Sequence, residues 1–139
     1  MARCSILVID DDPDCRDILC EMLAEEGHDC RAAAGGRAGL RELERSPVDL
    51  AVIDMLMPEF DGVETIMAVR RGWPNTRIIA LSGGVGAMSP EYLLDLAYNL
   101  GVDATIGKPV HLDALASAVE RVLSTVSGSR EGARSQPRC

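Results

Sequence analysis

Short, unbroken apolar runs alternate along this chain with longer segments whose apolar residues recur at helical spacing, and that alternation constrains the fold most. Ile6-Leu7-Val8-Ile9 and Leu50-Ala51-Val52-Ile53 lack the polar alternation of a half-exposed strand, so they read as strands covered on both faces. Arg77 to Leu81 is a further strand, centred on Ile78 and Ile79. Ala104 to Ile106 is a short last one, and Cys30 to Ala34 is a weaker candidate.

Between the runs lie helical signals. Asp12-Pro13 offers an N-cap and a first-turn proline, followed by Ile18, Leu19, Met22 and Leu23 until Gly27 stops the helix. Arg37 to Arg45 is a short helix with Leu40 and Leu43 facing inward. Asp61 with Glu64 resembles a capping box opening a helix through Val63, Ile66, Met67 and Val69, which ends at Gly72-Trp73-Pro74. Ser89-Pro90-Glu91 opens a helix over Leu93, Leu96, Ala97 and Leu100, closed by Gly101. Leu112, Leu115, Val119, Val122 and Leu123 mark the final one. Five strand-helix pairs in strict order imply an α/β fold: a doubly wound, five-stranded parallel sheet with helices on both faces.

A chain of 139 residues suits one domain, able to bury roughly 70% of its unfolded surface without metal or disulfide staples. We place that domain at residues 1–126. Residues 127–139 turn to Ser, Gly, Arg, Glu and Gln without periodicity and read as a flexible polar tail. With 14 Lys+Arg against 22 Asp+Glu, the net charge of −8 argues against nucleic-acid binding, which needs a basic face. Aromatic residues at 3% are too few for a base-stacking surface. Cys4, Cys15, Cys20, Cys30 and Cys139 contain no CxxC pair and no metal-ligand spacing with His28 or His111. They read as small, partly buried thiols of a reduced intracellular protein, Cys139 as a tail thiol. No apolar stretch approaches a membrane span or a signal-peptide core, so the expected setting is the cytoplasm.

The polar residues are informative by position. Asp10 and Asp11 directly follow the first strand and Asp54 the strong middle strand. Ser82 directly follows the Ile78-Ile79 strand, and Lys108 comes two residues after the last one. In a parallel sheet of order 2-1-3-4-5 the strand C-termini share one edge, and ligands bind where strand order reverses. Asp10, Asp11 and Asp54 would meet there, with Ser82 and Lys108 beside them. Three carboxylates within about 4–6 Å repel unless a cation compensates. All-oxygen ligation with few protein ligands suits Mg²⁺, which commonly completes its shell with phosphate oxygens. A carboxylate beside such an ion and a lysine is arranged for phosphoryl transfer. Asp12 is most simply a helix cap, and Met55, Met57, Met67 and Met88 are packing. The loop Ser82-Gly83-Gly84-Val85-Gly86 lacks the ending of a P-loop and the spacing of a dinucleotide fingerprint.

Four pieces in order carry a family likeness: Leu7-Val8-Ile9-Asp10-Asp11-Asp12, Ile53-Asp54-Met55-Leu56-Met57-Pro58 with Asp61-Gly62, Ala80-Leu81-Ser82-Gly83, and Lys108-Pro109. Over roughly residues 5 to 125 the chain resembles the receiver domain of two-component response regulators, of flavodoxin-like (CheY-like) fold. The resemblance implies Asp54 as phospho-acceptor and Asp10 and Asp11 as the pair holding Mg²⁺. Asp11 would bind directly and Asp10 through water, with Asp54 and the Leu56 backbone carbonyl as further ligands. Ser82 would be the switch hydroxyl, Lys108 the phosphoryl-contacting lysine, and Lys108-Pro109 a cis peptide. Thr105 stands at the switch position where the family usually has an aromatic. The stretch from Ser82 to Lys108 is longer than usual by roughly four residues. Reordering of residues 83–92 is therefore the expected replacement for a rotating ring.

The resemblance further implies a stand-alone receiver that takes its phosphoryl group from a sensor histidine kinase or a histidine phosphotransfer protein. It would act on its own aspartate and not as a conventional enzyme, signalling to a downstream protein that the sequence does not identify, with homodimer formation open. A phosphorylation-independent interaction module of the same fold is the alternative, and Thr105 is the residue in its favour. An aspartyl-phosphate hydrolase would need a DxDx(T/V) signature, and a flavin binder a Ser/Thr/Gly-rich first loop; neither is present.

Overall fold

A computed structural model describes residues 3–57, 61–83 and 89–124. The elements run β1 (Ser5–Ile9), α1 (Pro13–Glu25), β2 (Asp29–Ala33), α2 (Gly36–Arg45), β3 (Leu50–Asp54), α3 (Asp61–Gly72), β4 (Arg77–Gly83), α4 (Pro90–Leu100), β5 (Ala104–Lys108) and α5 (Leu112–Ser124). All four strand pairings are parallel, in the order β2-β1-β3-β4-β5. The expected α/β architecture and its strand order are therefore present.

Side-chain alternation along the strands divides the core in two. Leu7, Ile9, Ala51, Ile53, Ile78 and Ala80 point to one face, where Leu43 of α2, Ile66 and Val69 of α3, and Ala97 of α4 cover them. Ile6, Val8, Leu50, Val52, Ile79 and Leu81 point to the other, under Leu19 and Leu23 of α1 and Leu115, Val119 and Val122 of α5. Because both faces are covered, the central strands need apolar residues at every position, and β3 is buried throughout.

The helix ends follow local chemistry. Asp12 caps α1, its carboxylate accepting from the Asp14 N–H at 3.0 Å, and Ser89 caps α4, accepting from the Tyr92 N–H at 3.1 Å. Gly101 ends α4 at φ +78°, a left-handed conformation that a residue with a Cβ adopts only at a cost.

Three strands outrun their apolar runs. Asp54 is the last residue of β3, Ser82 lies inside β4, and Lys108 ends β5, whereas the hydrophobic pattern placed all three beyond the strands. Pairing continues through Asp54 with Leu81, Ser82 with Gly107, and Gly83 with Lys108. Ladder hydrogen bonds use only the backbone, so a polar side chain does not end them. The polar residues consequently stand on the rigid sheet.

Some apolar residues face outward. Ile18 is 50% exposed and Met67 46% exposed, so Met67 is not a packing residue as expected, and Leu112 is also exposed. The inward stripes of α1 and α3 are narrower than their apolar sequences suggest. Met55 and Met57 are buried as expected. The loop at 84–88 with Met88, the side chain of Asp61 with its capping box, and the tail with Cys139 lie outside the described residues.

Candidate functional site

Because β1 and β3 are neighbours, β3 ending in Asp54 and β1 followed directly by Asp10 and Asp11, the strand-order reversal brings acids together at the C-terminal sheet edge. Single ligand oxygens of Asp10, Asp11 and Asp54 all lie within 4.8 Å of one another. Asp10 and Asp54 are buried, and Asp11 is exposed at the mouth. Lys108 reaches in from β5, its Nζ 3.2 Å from Asp10 Oδ2 and 3.1 Å from Asp54 Oδ2.

Each carboxylate is held by the backbone. The Asp12 N–H donates to Asp10 Oδ1 at 3.0 Å, and the Leu56 N–H donates to Asp54 Oδ1 at 3.0 Å. The Asp10 backbone is fixed as well: its N–H donates to the Ala33 carbonyl at 3.2 Å, and its carbonyl accepts from Arg16 Nη1 at 2.9 Å. Behind Asp54, the Met55 N–H donates to the Leu81 carbonyl at 3.0 Å. Two-point anchoring of this kind leaves the carboxylates little rotamer freedom.

Electrostatics separates the two buried acids. Burial, helped by the neighbouring charge of Asp10, lifts the Asp54 carboxyl above the usual carboxylate range against the Leu56 N–H and Lys108. Burial opposes ionisation of Asp10 too. There the Cys15 thiol, the Asp12 N–H and Lys108 together outweigh it and hold the group below that range. Burial likewise disfavours the Lys108 charge, but the Asp54 and Asp10 carboxylates outweigh it and push the ammonium upward, so it stays charged. Burial and the bond to Asp10 push the Cys15 thiol up to about 12, so it acts here as a donor and not a nucleophile.

One ammonium against three carboxylates leaves negative charge uncompensated. Asp10 Oδ2 is buried and is met by Lys108 alone as an ion pair, at 3.2 Å. An all-oxygen donor set carrying more carboxylate charge than one ammonium neutralises fits a hard divalent cation, and the cluster is a metal-binding one in kind.

The sequence-derived residues Asp10, Asp11, Asp54 and Lys108 are thus brought together. Ser82 lies on the adjacent strand β4, half-buried, one residue beyond the Leu81 that pairs with Asp54. The Lys108-Pro109 bond is cis, as the resemblance implied. Thr105 pairs with Ala80 and lines a different cleft, of about 350 Å³, with Pro109, His111 and Ser117; no carboxylate of the cluster lines it.

Sequence reasoning missed three supporting residues. Cys15 and Arg16 contact Asp10 from the first turns of α1, a contact that depends on how the helix is rotated over the sheet. Gly62, quoted only as part of a motif, lies against the β3 end: a Cβ built there would collide with the Asp54 carbonyl oxygen and sit 2.8 Å from Met55 Cα. Asp-Gly at a helix start beside a strand end was the available signal.

Fold and acidic edge define a doubly wound α/β domain built to receive a phosphoryl group. Residues 6–120 match the response regulator receiver domain family, and the chain belongs to that family. It is 33% identical over 119 residues to a probable cyclic di-GMP phosphodiesterase of Vibrio cholerae, covering 86% of this chain and 26% of that protein. The chain therefore spans about a quarter of the length of that relative. NtrX of Brucella abortus superposes with a TM-score of 0.85 at 27% identity, over 96% of this chain and 30% of that one. The chemotaxis protein CheY4 of Vibrio cholerae superposes at 0.78 and 27% identity, over 88% of this chain and 100% of that one.

Membership brings the family's chemistry: an aspartate of the acidic cluster is phosphorylated and dephosphorylated in place, and the signal leaves through protein–protein contacts. No helix among the described residues is long and apolar enough to cross a membrane.

Proposed function

We propose that Asp54 is the phospho-acceptor, fed in the cytoplasm by a phosphohistidine of a sensor kinase or phosphotransfer protein, with Mg²⁺ as the metal. The observation that carries this reading is the position of Asp54. It is buried at a strand end, fixed by the Leu56 N–H and Lys108, and carries the costlier of the two buried charges. Converting it to an acyl phosphate moves its negative charge outward onto phosphoryl oxygens, toward Lys108 and exposed Asp11.

Asp10, Asp11, Asp54 and the Leu56 backbone carbonyl would hold the ion, Asp10 through water. A bound divalent ion supplies charge neutralisation for the incoming phosphoryl oxygens. An Asp54 carboxylate oxygen attacks phosphorus in line, the P–N bond breaks, and the imidazole leaves with a proton from solvent. Lys108 and the Ser82 hydroxyl offer donors to the equatorial oxygens. Lys108 is released from part of its pairing with Asp54 as the phosphoryl group arrives; Ser82 and Thr105 would be the switch residues, with reordering of residues 83–92 taking the place of a rotating ring. Residues 1–126 act as the signalling unit, and its output is contact with a downstream protein or a second copy.

The test is incubation with a small phosphoramidate donor, with Mg²⁺ or with excess chelator. One phosphoryl group per chain is expected with Mg²⁺, lost on treatment with hydroxylamine, and almost none with chelator. No incorporation in either condition would favour a phosphorylation-independent interaction module.

A further inference from the structure

We propose that Cys20 and Cys30 form a reversible disulfide stapling α1 to β2, an oxidation site separate from the acidic pocket. Cys20 lies in the second half of α1 and Cys30 near the start of the edge strand β2. Their Sγ atoms are 2.7 Å apart, well inside the ordinary non-bonded distance of two sulfurs and not far beyond the about 2.05 Å of a disulfide bond. Both are free thiols and only half-buried. They line an open cleft of about 630 Å³ with Glu21, Gly27 and His28, wide enough to admit a small disulfide.

Either sulfur can donate in this contact. With Cys30 as the donor, the bond lowers the pKa of Cys20 against burial and the charge of Asp17, while the same bond, with burial, pushes Cys30 upward. In that state Cys20 is the attacking thiolate and Cys30 the resolving thiol.

The oxidant we name is a low-molecular-weight disulfide. The Cys20 thiolate attacks one of its sulfurs, its S–S bond breaks, and one small thiolate departs. Cys30 then gives its proton to solvent and attacks Cys20 Sγ, and the second small thiolate leaves. The protein loses two electrons and its two thiol protons, and the small disulfide is reduced to two thiols. Both stapled elements bear on Asp10: α1 through Arg16 Nη1 on its carbonyl, and β2 through the Ala33 carbonyl accepting from its N–H. Oxidation therefore fixes the frame around one wall of the acidic pocket.

The test uses the full chain under native conditions with oxidised glutathione, quenched with an alkylating agent and mapped by mass spectrometry without reduction. A Cys20–Cys30 linked peptide pair is expected, reversed by dithiothreitol. The oxidised protein should melt about 5–10 °C higher than the reduced one. Cys20→Ser and Cys30→Ser should each abolish both the link and the shift. Wild-type protein recovered with both cysteines alkylated, with a persistent glutathione adduct on either, or with either linked to a different cysteine would overturn the proposal. The wild-type map alone decides, whatever the folding of the variants.

Discussion

Asp54→Asn is expected to reduce phosphoryl incorporation to background under conditions that saturate the wild type. The substitution keeps the shape of the side chain, an acceptor for the Leu56 N–H and a neutral neighbour for Lys108, but removes the anionic nucleophile. Stability should not fall with it. Burial already penalises the Asp54 charge, and the like charge of Asp10 adds to that penalty, so a neutral isostere relieves both. Intact-mass spectrometry after exposure to the donor, beside a thermal melt by circular dichroism, separates the two effects. Undiminished incorporation in a variant melting like the wild type would move the acceptor to Asp10 or Asp11.

Gly62→Ala is expected to give the largest loss of stability from a single methyl group, about 3 kcal/mol, the upper end of the overpacking range. The new Cβ would meet the Asp54 carbonyl oxygen and the Met55 backbone, and those atoms are held by the β3–β4 ladder and by Met55 N–H pairing with the Leu81 carbonyl. A flexible side chain could swing aside, but paired backbone cannot. Relief must come from moving the start of α3 away from the sheet, which withdraws packing from buried Ile66 and Val69. Urea unfolding measures the loss. Gly72→Ala is the control, because a Cβ there meets nothing within 4 Å, and it should shift the midpoint little. Equal midpoints for the two variants would refute the steric account.

What was legible in the sequence follows from what each signal encodes. Unbroken apolar runs report burial on both faces, so Ile6 to Ile9 and Leu50 to Ile53 gave the sheet centre, and acids at their ends gave the pocket. Ends of strands were less legible, because Ser82, Gly107 and Lys108 stay in the sheet through backbone pairing that side chains do not advertise. Helix rotation was legible only to the apolar face: Leu19, Leu23, Leu43, Leu115 and Val119 are buried as expected, but the residues at its flanks were not assigned. Ile18 and Leu19 are adjacent and equally apolar, yet one is exposed and the other buried, and the same rotation delivers Cys15 and Arg16 to Asp10 and Cys20 to Cys30. Contacts between an element's flank and its neighbour need the three-dimensional arrangement.

The most direct measurement is the structure of the protein soaked with Mg²⁺ and beryllofluoride, a mimic of the phosphoryl group. The account requires the mimic on an Asp54 oxygen and beside Lys108 Nζ, with the ion among Asp10, Asp11 and the Leu56 carbonyl. An empty pocket with unchanged spectra, or the mimic seated on a different carboxylate, would contradict it.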